Sequence, residues 1–531
     1  MYILKKYSAA LKLYRAKKFD AALKLVEEVQ NAAPHWKKSF LLEIFIRRDM
    51  GEPFKEFSLL EKFLPRLDLN SAKEKILAAD AFNCFGVVNR ILGRTADSVR
   101  AFCLSASLSD DNKKACEEVS NALFAANSSE NFSADDFQKL YDEYKKYLAD
   151  VVPYQKKFYR HKKIRVGFLS GSFQWHVVMA WSWHLLSDLD KKFFAVYCYS
   201  NVETPDDVTK YFRSIVDGWR DIFNLADKQA AKLIRDDEID ILFDLDGHTL
   251  NNRLRVAAYR PASVQMTGIG YMNSTGLDCF DYFLSDVHCA GDKNLFTEKV
   301  IKLEHSHICY EPPTKMEPAK IPPCVKNNFV TFGSFNQFGK VTDSILIAWK
   351  KILDIVPKSK LILKHKIFNT DDGKNFVEEK LKSFGFNLAR VELRPYSKNH
   401  LAEYADVDIA LDTFPYTGGV TTCEALYMGV PVVSLYGARH GTRFGLSILK
   451  NVGLDELAVD SYDGYINRAV MLANDWELLT LLRKNLRTMM KQSPLMNSTA
   501  YVREMEKVFI KILDEQRSTS SGHLRNVFSG S

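Results

Sequence analysis

From residue 5 to about 150, apolar residues recur at three- and four-residue spacing without the alternation of a strand, so the pattern predicts helix after helix. After the segment VVPYQKKFYRHKK the period changes. Short apolar runs (IRVGFLS, FFAVYCYS, IDILFDLDGH, VQMTGIGY, FDYFLSD) then alternate with helical stretches, the signature of a parallel sheet covered by helices. EPPTKMEPAKIPPC, with five prolines in fourteen residues, interrupts the series as a linker does. A second series follows: FVTFGSF, KLILKH, RVELRP, VDIALDT and PVVSLY. The expected fold class is therefore α/β, with two doubly wound, Rossmann-like domains preceded by an all-α domain. The expected boundaries are 1–150 for the helical domain, 163–315 and 325–515 for the two α/β domains, and 516–531 for a flexible tail, QRSTSSGHLRNVFSGS.

Within the helical part, AALKLYRAKKFDAALKLVEEVQNAAP places Ala10 and Ala22 twelve residues apart and closes on Pro34, the pattern of a tetratricopeptide (TPR) repeat. FNCFGVVNRILGRTADSVRAFCLSASLSDD repeats the interval with Gly86 and Ser98, without the closing proline. A generic helical bundle is the alternative. Repeats of this kind stack into a curved surface that usually holds a protein, so a protein partner is expected along it. Two doubly wound domains joined by a Pro-rich hinge put a cleft between the carboxyl ends of their strands. The chemistry belongs in the loops there.

Composition narrows the partners. Charged residues make up 26% of the chain in both signs, and a net charge of +7 over 531 residues lacks the dense basic stripes of a nucleic-acid surface. A nucleotide-sized anion is the easier partner. Nine scattered cysteines contain no CxxC pair, which fits reduced thiols and a cytoplasmic location. The Lys-rich N-terminus lacks a secretory apolar segment, and no 18 apolar residues run together, so neither export nor a membrane span is expected.

Neither GxGxxG nor a P-loop motif occurs, which weakens the nicotinamide and NTPase readings of such sheets. The loop FPYTGGVTTCEALYMGVP offers an alternative anion site. Gly418 and Gly419 permit close approach, while Val420, Thr421 and Thr422 open a helix whose free N–H groups and positive end would receive a diphosphate. From the first turn Glu424 could reach ribose hydroxyls; a Gly-Gly turn with a Thr cap is the plainer alternative. GSFNQFGK sets Gln337 and Lys340 at another strand end. A fixed cation there would neutralise a departing phosphate, lowering the barrier without a metal. His176 and His248 each follow a predicted strand and are candidates for acid–base or acceptor-positioning work, whereas His184 reads as structural. The His305/His307 and Asp244/Asp246 pairs lack an evident third ligand, so no metal is expected.

Five segments in order resemble the O-linked N-acetylglucosamine transferase and SPINDLY-like family of TPR-bearing, two-domain GT-B glycosyltransferases. They are KIRVGFLSGSFQWH, DILFDLDGHTLNNRL, GYMNSTGLDCFDYFLSD, FGSFNQFGK and ADVDIALDTFPYTGGVTTCEALYMGVPVVSL, and the likeness covers roughly residues 164 to 510. The resemblance implies a GT-B fold and a catalytic cleft holding His176, His248 and Lys340. It also implies donor contacts from Gln337, Lys340, Lys398, His400, Gly419, Thr421, Thr422 and Glu424, the spacing of Lys398 to His400 being one residue shorter than in the family. Animal members carry His-Thr-Thr where Gly419, Val420 and Thr421 stand, and Asp at Glu424, so this stretch is closer to the SPINDLY-like branch, some members of which use GDP-fucose. Gln337 matches the O-GlcNAc transferases instead. The expected activity is inverting, metal-independent transfer of a sugar, preferably GlcNAc from UDP-GlcNAc, to Ser or Thr of a protein, with no cofactor beyond the nucleotide-sugar donor. O-fucosyl transfer from GDP-fucose and N-glucosyl transfer to Asn of an adhesin are the alternatives.

Overall fold

A computed structural model describes residues 2–528 of the chain. Helices fill the first part, from Tyr2–Arg15 to Ala134–Lys146. The twelve-residue intervals mark close contacts: Ala10 and Ala22 are fully buried. At Gly86 an added Cβ would lie 2.7 Å from the Phe102 ring, and Ser98 Oγ donates to the Gly86 carbonyl at 2.7 Å. A side chain at Gly86 would force the two helices apart. The last helices do not stand free. Val119, Leu123 and Tyr141 share a core with Leu254, Leu277 and Phe280 of the next domain.

The first α/β domain holds strands β1 (Ile164–Ser170), β2 (Phe194–Ser200), β3 (Gly218–Asp221), β4 (Ile241–Asp244), β5 (Val264–Thr267), β6 (Tyr282–Asp286) and β7 (Lys299–Leu303). They pair in the order β3-β2-β1-β4-β5-β6-β7, all parallel. The second contains β8 (Thr331–Ser334), β9 (Lys360–Lys364), β10 (Val391–Arg394), β11 (Ile409–Leu411), β12 (Val432–Leu435) and β13 (Ala458–Val459), ordered β10-β9-β8-β11-β12-β13 and again parallel. Helices cover both faces of each sheet, which is why the central strands read as unbroken apolar runs. Two such sheets with facing strand ends are the GT-B arrangement. Among the described residues no helix is long and apolar enough to cross a membrane.

Two expected boundaries are corrected. The flexible tail at 516–531 is helical up to Phe528, within Ser498–Phe528; residues 529–531 lie outside the described residues. That helix also leaves the second domain, expected to reach 515, and returns to the first sheet. Phe509 packs on Phe194 and Phe243, and Tyr501 Oη donates to the His307 carbonyl at 3.0 Å. Gln516 and Arg517 bond Tyr282 and the Tyr159 carbonyl. Apolar positions at helical spacing (Met505, Phe509, Ile512) carry the helix onto that sheet, a destination that no local pattern encodes.

Candidate active site

A cleft of about 680 Å³ lies where the two α/β domains meet. Trp175, His176 and Val177 line it from the first domain, while Lys398, His400, Val420 and Glu424 line it from the second. Four of the expected site residues are thus brought together.

His176 caps the helix Val177–Ser187, its Nδ1 accepting the Val178 N–H at 3.3 Å. A lone pair at Nδ1 puts the hydrogen of the neutral ring on Nε2. Desolvation lowers its pKa, so the ring is neutral near pH 7 and presents an N–H to the cleft. In this state Nε2 has a hydrogen to donate to a cleft oxygen. Across the cleft His400 Nε2 donates to Glu424 Oε1 at 3.1 Å, and the carboxylate raises the His400 pKa. Lys398 is exposed at the rim.

The floor is organised by Asp412, at the end of β11. Its Oδ1 accepts the N–H groups of Gly418 and Thr413 at 2.6 and 2.8 Å, and its Oδ2 accepts Ser434 Oγ at 2.6 Å. These bonds fold the Gly418–Gly419 loop back under the helix Val420–Tyr427. No side chain caps that helix, so its first N–H groups remain available to an anion. Thr421 Oγ1 donates to Asn336 Oδ1 at 3.0 Å, linking this helix to the loop after β8; Thr422 is buried beside it. Gly419 serves packing. A Cβ there would lie 2.6 Å from two carbons of the Trp181 indole, which arrives from the first domain.

In the loop after β8, Gln337 is exposed and Lys340 is half-buried. Lys340 Nζ sits 3.4 Å above the Tyr416 ring. Burial lowers its pKa to about 8 against the pull of Asp412, so the ammonium is a poorly hydrated cation that an incoming anion would stabilise.

His248, expected among the catalytic groups, is corrected. It is 1% exposed, with Nδ1 2.9 Å from Ser120 Oγ and Nε2 2.8 Å from the Thr275 carbonyl. The carbonyl can only accept, so Nε2 donates to it and Nδ1 takes the Ser120 hydroxyl. Both nitrogens are engaged, Nδ1 in a bond that holds the helical domain to the first α/β domain and Nε2 in one within the latter. Asp244 and Asp246 are loop staples: Asp246 accepts from Ser170, Gly171 and Ser172, and Asp244 from Gly247 and Thr267. His184 pairs with Asp188 and Glu311, as its structural reading expects.

Sequence reasoning missed Asp412, Trp181 and Tyr416. Asp412 ends an apolar strand just before the glycines, a signal that could have been used. Trp181 and Tyr416 act across long sequence separations and left none.

A family model described as glycosyl transferase family 41 matches residues 144–311 and 322–505. The Solanum lycopersicum protein named probable UDP-N-acetylglucosamine–peptide N-acetylglucosaminyltransferase SPINDLY is 38% identical over 382 residues, covering 70% of this chain and 40% of its own length. Its Arabidopsis thaliana namesake is 38% identical over 66% of this chain and 39% of its own. The chain thus spans about 40% of the length of these relatives. Among solved structures, a mutant of the Thermobaculum terrenum O-GlcNAc transferase aligns with a TM-score of 0.86 at 28% identity, over 98% of both chains.

Proposed function

The chain belongs to glycosyl transferase family 41, and from that premise we propose that it transfers a sugar from a nucleoside diphosphate donor to a Ser or Thr hydroxyl of a protein. The donor preferred here is UDP-GlcNAc, the donor in the names of the SPINDLY relatives, and the acceptor is a protein held along the helical repeats. One observation carries the reading: Lys340 over Tyr416, and the uncapped end of Val420–Tyr427 behind Gly418–Gly419, both grouped around Asp412. This is a receptor for a diphosphate, with Glu424 and His400 beside it for the ribose.

The acceptor oxygen attacks the anomeric carbon, the bond from that carbon to the diphosphate oxygen breaks, and configuration inverts. Negative charge accumulates on the departing diphosphate. Lys340 and the helix N–H groups stabilise it without a catalytic metal, and such preorganised donors each supply about 10²–10³ in rate. His176 donates to a sugar or acceptor oxygen in this scheme, so the hydroxyl proton passes to a phosphate oxygen of the donor.

Transfer of labelled sugar from UDP-GlcNAc, UDP-glucose and GDP-fucose to protein, with fragmentation mass spectrometry of the acceptor, tests the reading. GlcNAc on Ser or Thr is the expected product, at a rate that added Mg²⁺ does not raise. Fucose from GDP-fucose would move the protein to the fucosyl branch, and glucose on Asn to the N-linked one. No transfer with any donor would remove the proposal.

A further inference from the structure

Three buried side chains from both α/β domains converge away from the cleft. Cys289 follows β6 and His307 follows β7, while His440 comes from the second domain between β12 and the helix Phe444–Val452. Each is at most 1% exposed. Their ligating atoms all lie within 4.8 Å of one another, and among the described residues they form the one group of this kind.

The hydrogen bonding around them is lopsided. Asp286 Oδ2 lies 2.6 Å from His307 Nδ1 and also accepts Ser447 Oγ, while Oδ1 accepts the N–H groups of His288 and Cys289. That carboxylate is thoroughly anchored and fixes the His307 ring with Nε2 facing away from it. His307 Nε2 has no hydrogen-bond partner, and neither nitrogen of His440 meets one in hydrogen-bond geometry, although the Met272 carbonyl acts on that ring. Buried imidazole nitrogens are ordinarily satisfied. Here unpartnered ones from two domains sit beside a thiol.

We propose that Cys289, His307 and His440 bind one zinc ion that joins the two α/β domains. Thiolate sulfur and imidazole nitrogen are ordinary zinc ligands; these three fill three of the four positions of a tetrahedral ion, whose bonds of roughly 2.0–2.3 Å bring its ligands to within about 4 Å of one another, and a water takes the fourth. The observed separations need only a small contraction. Binding displaces the Cys289 proton to solvent, and the thiolate and the Asp286 carboxylate together balance the charge of the ion, leaving the buried group neutral. Asp286 and His307 then form the carboxylate–histidine–metal arrangement that orients a ligating imidazole. Phe283 and Phe444 pack on His440 at ring distances of 5.1 and 5.3 Å and close the site to substrate, so the ion is structural. Its consequence for the active site runs through the next residue. The Gly441 carbonyl accepts Thr417 Oγ1 at 3.0 Å, and Thr417 precedes the diphosphate loop. The sequence had paired His307 with His305, but His305 is exposed and stands outside the group.

The test uses the full chain, purified without a polyhistidine tag, incubated with zinc or cobalt(II) and desalted. About one ion per chain is expected by elemental analysis, and the cobalt form should show a thiolate-to-cobalt charge-transfer band. Cys289→Ser should lose that band, His440→Gln should lose the ion, and His305→Ala should keep both. Wild-type protein that retains under about a tenth of an ion per chain overturns the proposal, a result that needs no variant to fold. So does a Cys289→Ser spectrum equal to that of the wild type, or loss of the ion in His305→Ala.

Discussion

Lys340 sits where a positive charge is hard to keep, and that makes its role measurable. Its pKa is lowered to about 8, so the free enzyme loses the cation as pH rises through that value. The value of kcat/KM for the donor should therefore fall above about pH 8, while kcat, measured with the diphosphate already bound, falls less. Lys340→Arg should extend kcat/KM to higher pH, because a guanidinium does not titrate there. Lys340→Ala should lower transfer about 10²- to 10³-fold with Tm unchanged, and retained activity would remove the phosphate role. His248 makes the opposite kind of prediction, one of stability. Burial lowers its pKa to about 4, so the unfolded chain takes up a proton that the native ring refuses. Its contribution is complete above the ordinary histidine range and is lost as pH falls from about 6.5 toward 4. Thermal unfolding should show Tm dropping over that window, with a shallower drop in His248→Gln. Both side chains stood out in the sequence as polar groups at strand ends. Which one faced a cleft and which a domain contact was set by Ser120, a partner 128 residues away.

The helix Val420–Tyr427 and its glycine loop are the element on which the site depends. Gly418 and Gly419 were legible as a place of close approach, but the object approached was not. A Cβ on Gly418 would meet Thr421, Thr422 and Asp412 within 2.9 Å, and one on Gly419 would meet Trp181. Gly419→Ala should push the helix from the indole and weaken donor binding about tenfold, the equivalent of roughly 1.4 kcal/mol, as measured by UDP titration. Replacing Trp181 by Leu in that background should recover part of the loss; no recovery would mean that the clash lies elsewhere. The final helix shows the reverse case. Its apolar spacing continues the preceding pattern, while the Ser, Thr and Gly beyond Arg517 read as a tail, and only docking on the first sheet holds the segment through Arg517 in place.

At the scale of the whole molecule, the helical repeats are the proposed acceptor surface and, in their last helices, part of a core shared with the next domain. The first two helices form a small cluster of their own around Ala10, Ala22 and Val26, completed by Leu42 and Ile46. Removing residues 1–35 should therefore leave a folded protein that loses rate on protein acceptors more than on short peptides. Removing residues 1–140 should abolish both, because Val119, Leu123 and Ser120 support the first α/β domain. Comparable peptide activity in both truncations would show that this shared core is dispensable.

The sequence alone determined the helical lead, the two parallel sheets and the linker between them, since periodicity and proline act over a few residues. It also determined the composition of the proposed diphosphate site, because Gly, Thr and Lys at strand ends carry their chemistry locally. Only the tertiary structure decided that His248 is a clamp, that Asp412 ties the loop, that Trp181 fits Gly419, and that His307 meets Cys289 and His440. Those outcomes depend on which atoms meet across long separations in sequence. Such meetings follow from the packing of whole domains, on which a local pattern bears no trace.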